Sequence, residues 1–296
     1  MQLKRIVATA VLVCLAAPGL LAQKQVAFIA TVTPVNGREV STLMPGDVKV
    51  VESDKPLNVS KVEVIERVPK LQLLIDNGVG FPSQNLGDLR NGIKALVNNL
   101  PLNLEVTMVT TAPNPRVLEK ATTDRVKQLA AIDRIVPDSG SGKFTESLWE
   151  ATERIEKDKD EKASYTIVTI GTTQGDLNVR DDDVKKIFER VTRRHIPVFV
   201  ILFSTLQGST TGGVQQDVGG NAAAMGGGRM EVINSATRLT SLLPELGKLL
   251  QVTMGPDSHL VRVFVDRPGG GKLGEIGMQM LGMNVVTMTL DAVNTK

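Results

Sequence analysis

Cysteine is almost missing: the 296-residue chain holds one, Cys14. Cys14 lies in a leader expected to be removed, and Val13 before it is larger than a lipid-attachment site wants. Neither disulfides nor thiol chemistry is therefore expected of the mature protein. Aromatic residues are scarce at 3%, which argues against the ring-stacking surfaces of sugar binders and single-strand nucleic-acid binders. Net charge is also lacking. Removing residues 1–22 takes Lys4 and Arg5 from 34 basic residues and nothing from 32 acidic ones, leaving 32 of each. A formally neutral chain gives no electrostatic case for nucleic acid or an anionic membrane as partner. The two histidines, His195 and His259, fall in different predicted modules and in no metalloprotease or triad pattern. Beyond the leader, no apolar run is long enough to span a bilayer.

The first 22 residues, MQLKRIVATAVLVCLAAPGLLA, carry Lys4 and Arg5, then an apolar run, then Pro18-Gly19 and small residues. This is the pattern of a secretory signal peptide cut after Ala22, with an uncleaved anchor as the alternative because Leu20 precedes the cut. The protein is expected to be secreted or periplasmic, with no membrane span in the mature chain.

Two rhythms follow. Residues 23–68 and 254–296 alternate apolar and polar positions, as in VAFIATVTPV and HLVRVFVDRP. Turn signals at Asn36-Gly37, Pro45-Gly46 and Asp54-Lys55-Pro56 separate the first set. Neither piece has enough strands to stand alone, so both ends are expected to form one small antiparallel β module of sandwich type. Between them, residues 69–253 alternate continuous apolar strands (LQLLID, LEVTMVTT, YTIVTIG, IPVFVILFS) with helical spacing. That predicts an α/β domain with a central, mainly parallel sheet covered on both faces, Rossmann-like in layering. The helix TRLTSLLPELGKLLQ is expected to break near Pro244. The stretch 207–228, rich in Gly, Ala, Gln and Thr, predicts a flexible loop. The run 156–162 and Asp181-Asp182-Asp183 predict solvated helix ends, and Trp149 a core position.

Ser139-Gly140-Ser141-Gly142-Lys143 fails as a phosphate loop. Pro137 stands at its first glycine place and Phe144 at its Ser/Thr place. A loop before a helix is expected instead.

The stretch LLIDNGVGF runs a strand into Asp76, with Gly78 and Gly80 following. Ligands in such sheets sit at the carboxyl ends of strands. LQLLIDNGVG, GSGKFTESLWEAT and SYTIVTIGTTQGD, in this order, resemble a von Willebrand factor type A (vWA) domain of the kind found in secreted bacterial proteins behind a short β segment. The resemblance covers most of the mature chain. It implies an adhesion site in which Asp-x-Ser-x-Ser, a threonine and a second aspartate hold a divalent ion. Here Asp76 matches the first aspartate and Thr145 the threonine. Gly78 and Gly80 stand at the serines, and Ile170 or Gly171 at the second aspartate. Asp176 and Ser83 lack the required spacing. A missing carboxylate about 4–5 Å from the ion forfeits about 3–4 kcal/mol at an effective dielectric of ~20, or two to three powers of ten in affinity, roughly. A degenerate, metal-free site is therefore expected, with no cofactor and no catalytic residue. The expected function is protein–protein binding through Asp76, Asn77, Gly78, Gly80, Thr145, Gly171, Thr172 and Thr173. The alternatives are an inert scaffold subunit that contacts partners through its β module, or a metal-dependent adhesion protein.

Overall fold

The computed structural model describes residues 24–173, 179–204, 213–267 and 272–295. The proposed leader 1–22 and Asp176 lie outside them.

The terminal segments build one module. Strands β1 (Lys24–Pro34), β2 (Val48–Glu52), β3 (Lys55–Ile65), β10 (His259–Arg267), β11 (Ile276–Met280) and β12 (Met283–Leu290) close into a barrel in the order β1-β10-β3-β2-β11-β12. All its pairings are antiparallel. The expected antiparallel module is present, but it is a barrel closed on itself rather than a two-sheet sandwich. Closure leaves no sheet edge to template aggregation. Val26, Phe28, Ala30 and Val32 alternate inward to meet Val261, Val263 and Val265. The β2–β3 turn falls one residue earlier than expected, on Ser53 and Asp54 with φ 46 and 66. Two consecutive left-handed residues match the twist of a two-residue hairpin.

The second module is inserted between β3 and β10. Its sheet runs β6-β5-β4-β7-β8-β9, formed by β4 (Val68–Ile75), β5 (Glu105–Thr110), β6 (Arg116–Thr122), β7 (Ala163–Thr172), β8 (Val198–Phe203) and β9 (Arg229–Ile233). Only β6 is antiparallel to its neighbour. Helices α1 (Leu86–Asn98), α2 (Arg125–Asp133) and α6 (Leu239–Met254) cover one face. Helices α3 (Phe144–Lys157), α4 (Asp181–Arg193) and α5 (Gly213–Gly226) cover the other. β4 reads as a continuous apolar run because it feeds both layers: Leu71, Leu73 and Ile75 face one core and Leu74 the other. Each such leucine contributes about 1.5–3 kcal/mol on burial.

Two expectations are corrected. Residues 213–226 of the expected 207–228 loop form α5, while 207–212 lie outside the described residues. Small side chains let α5 lie close to the sheet. Val218, Ala222 and Ala223 are buried, and a Cβ on Gly219 would stand 3.0 Å from Val200. Composition alone hid this helix, because its buried surface is made of small residues. Helix α6 also runs unbroken through Pro244, after a short 3-10 turn at Ala236–Arg238.

The run 156–162 is more than a solvated helix end. Asp158 accepts hydrogen bonds from Tyr165 and from Lys70 Nζ at 3.0 Å. Trp149 is half-buried against the α3–α4 layer, with Arg190 5.3 Å above its ring.

His195 follows α4 at φ 48 and reaches the barrel. Its Nε2 lies 3.3 Å from Asp291, a fully buried carboxylate that also accepts from Arg262 at 2.7 Å. Burial pushes the His195 pKa down, Asp291 works against that shift, and Arg262 reinforces it.

Candidate functional site

The carboxyl ends of β4 and β7 are roofed by the segment 136–143. Residues 77–79 lie against it in extended contact. Asp138 N–H donates to the Asn77 carbonyl at 2.7 Å, and Val79 N–H donates to the Gly140 carbonyl at 3.0 Å. Asn77 stitches the ends together, with Nδ2 donating to the Val136 carbonyl at 2.8 Å and Oδ1 accepting from Ala112 N–H at 3.3 Å. Lys143 N–H donates to the Thr111 carbonyl at 3.1 Å and fixes the start of α3.

Asp76 sits beneath this roof at 4% exposure. Its N–H continues the sheet to the Ile170 carbonyl at 2.8 Å. Oδ1 accepts from Gly78 N–H at 2.8 Å, the local turn that Asp favours. Oδ2 accepts from the Thr172 hydroxyl at 3.0 Å, across the neighbouring strand.

The glycines are required by close approach. A Cβ on Gly78 would lie 2.5 Å from Gly140 O and 2.7 Å from Gly142 N. A Cβ on Gly142 would lie 2.3 Å from Asp76 Oδ2. Backbone therefore fills the space where a side chain at position 78 would project.

The other expected site residues fall into place around this point. Thr145 is 3% exposed in the first turn of α3. Gly171 packs against Phe144, to whose ring a Cβ there would come within 3.1 Å. Ile170 points into the core, and Thr173 N–H donates to the Phe203 carbonyl at 3.0 Å. The structure thus brings Asp76, Asn77, Gly78, Gly80, Thr145, Gly171, Thr172 and Thr173 to one end of the sheet. All of them are buried. The surface above them belongs to Val79 and Val136, each 59% exposed, with Pro113, Pro137 and Ser139 beside them. None of these was expected at the site from the sequence, where Pro137 and Ser139 figured only in the failed phosphate loop. Their signal is the pair of proline-bearing stretches, which must turn above a sheet end.

Asp138, the other carboxylate in the roof, is turned toward Arg116 Nη2 at 2.9 Å and Gly140 N–H at 2.9 Å. Among the described residues no group of three or more His, Cys, Asp or Glu side chains converges as a metal site would need. Among the same residues no helix is long and apolar enough to cross a membrane.

No family model matches the sequence, and no curated protein matches it. Solved structures do. The chain is similar to a von Willebrand factor type A protein from Catenulispora acidiphila, with 12% identity and a TM-score of 0.53 over 90% of this chain and 74% of that one. It is also similar to proximal thread matrix protein 1 from the mussel byssus, whose own metal-ion-dependent adhesion motif holds zinc. There the identity is 14% and the TM-score 0.51, over 68% of this chain and 48% of that one. At such identities the likeness speaks for architecture, and the architecture here is that of a vWA domain inserted into an antiparallel β-barrel.

Proposed function

We propose that the chain is a non-catalytic protein-binding module working outside the cytoplasm, secreted or periplasmic, whose strand-end site holds no metal ion. The observation that carries this reading is the closure of that site around Asp76. A divalent ion in a vWA-type site needs several oxygen ligands in near-octahedral array. The residues present do not fit it. Gly78 brings no hydroxyl, and the backbone of Gly140 and Gly142 occupies the place of one. Asp76 is already engaged by Gly78 and Thr172, and Asp138 by Arg116.

Partner contact then falls to the roof rather than to its buried floor. Val79 and Val136 are both exposed apolar residues on hydrogen-bonded backbone, and apolar side chains on rigid supports make efficient contacts because little entropy is lost on binding. The test has two arms. Calorimetric titration with Mg²⁺ and Mn²⁺ is expected to give no binding tighter than about 1 mM, against the 10⁻⁵ M or better of working Ca²⁺ sensor sites. Capture from an envelope extract is expected to be lost in Val79→Asp/Val136→Asp with circular dichroism unchanged. Micromolar magnesium affinity would overturn the metal-free part. Undiminished capture, with crosslinks confined to the barrel, would move function to the β module.

A further inference from the structure

A cleft of about 210 Å³ lies where the barrel meets the α/β domain. Its walls come from both: Thr31 and Thr289 from the barrel, Arg67 from the crossover, and Thr166, Arg194 and His195 from the α/β domain. Five cationic side chains (Arg67, Lys162, Arg193, Arg194, Arg262) line it, against two carboxylates (Glu66, Glu161). Three of the five are already matched: Lys162 with Glu66, Arg193 with Glu156, and Arg262 with Asp291 and Glu63.

Arg67 and Arg194 are different. Arg67 Nη2 donates to three oxygens, and none belongs to an acid: Thr253 O at 2.6 Å, Ser258 Oγ at 2.6 Å and Ser258 O at 3.3 Å. Burial pushes the Arg67 pKa down to about 10, the mark of a guanidinium without a counter-charge. Arg194 lines the cleft and forms no ion pair among the described residues, with its Nη2 packed away from solvent. Both guanidinium groups thus line the cleft without a counter-charge, and the groups that best supply one are planar or tetrahedral oxyanions. The threonines of the walls add hydroxyl donors of the same use.

We propose that this interdomain cleft is a binding site for a small free oxyanion, of the phosphate or sulfate type, held by Arg67 and Arg194. The site takes cations from the crossover and from the α/β domain, and its far wall is the barrel. An anion seated there ties the two modules together, and by linkage it stabilises the folded chain in proportion to the logarithm of its concentration. The proposal is independent of the strand-end reading, since none of its residues belongs to the Asp76 cluster.

The experiment uses the full mature chain and inorganic phosphate, with sodium chloride at matched ionic strength as control. Expected are a one-to-one calorimetric isotherm and a melting temperature that rises with phosphate but not with chloride. Arg194→Gln is expected to weaken binding about tenfold or more, the loss of one charge-assisted contact. Arg238→Gln, on an exposed turn far from the cleft, is expected to leave it unchanged. Arg194→Gln makes a clean test because it removes a group with no ion pair among the described residues, and its melting temperature without phosphate reports folding. Absence of phosphate heat in the wild type, or equal affinity in Arg194→Gln and wild type, would overturn the proposal.

Discussion

Thr172 holds Asp76: its hydroxyl donates to Oδ2 at 3.0 Å between adjacent parallel strands, in a place closed to solvent. Leaving a buried acceptor without its donor costs about 1–3 kcal/mol.

The first prediction is a coupling. Thr172→Val is expected to cost about 2 kcal/mol in the wild type, and clearly less when Asp76→Asn is already present. Urea unfolding of the two single variants and the double variant measures the difference. Additive losses would show that the two groups do not act as a pair.

A second prediction concerns the roof. Gly142→Ala places a methyl 2.3 Å from the Asp76 carboxylate, which is pinned on both oxygens. Either the loop or the carboxylate must shift, at a cost of about 1–3 kcal/mol. The urea midpoint should fall with an unchanged slope. A loss below about 0.5 kcal/mol would mean that the roof is slack.

The third is a pH dependence. The Asp158 pKa is held down to about 2, first by the Tyr165 phenol, then by the Asp160 N–H and Lys70, while burial opposes the shift. In the unfolded chain the group returns to 3.8. The unfolded state therefore binds the proton first, and this carboxylate's stabilisation is complete above about pH 5 and is lost as pH falls through 3.8 toward 2. With Asp158 22% exposed, screening leaves about 1–2 kcal/mol at neutral pH. Asp158→Asn should be weaker than wild type by that amount at pH 7, with most of the gap closed as pH falls to about 2. A gap undiminished at pH 2 would assign the loss to packing instead.

Much of the architecture was legible in the chain. Continuous apolar strands announced a sheet covered on both faces, and period-two segments at the ends announced antiparallel pairing. Asp76 at a strand end, with Thr145 at a helix start, located the candidate site. Closure of the barrel was not legible, since strand alternation is the same in a barrel and in a sandwich. Helix α5 escaped because Gly and Ala give no apolar stripe, although they permit the closest packing. Asn77 and Thr172 were expected on a binding face, and only the meeting of distant segments makes them buried ties of the site. His195 matched no sequence pattern, yet at its left-handed backbone position it reaches Asp291. Long-range partners of this kind leave no local signature.

The insertion of one module within the other has a kinetic consequence. Lys24 of β1 pairs with Arg267 of β10, so β1 meets this partner only after the whole α/β domain has been made. Closing so long a loop around an unfolded chain is entropically poor, and around a folded, compact insert it is short. The order of assembly is thus dictated by chain topology: the inner domain matures first, and the outer staves, drawn from either side of it, come together last.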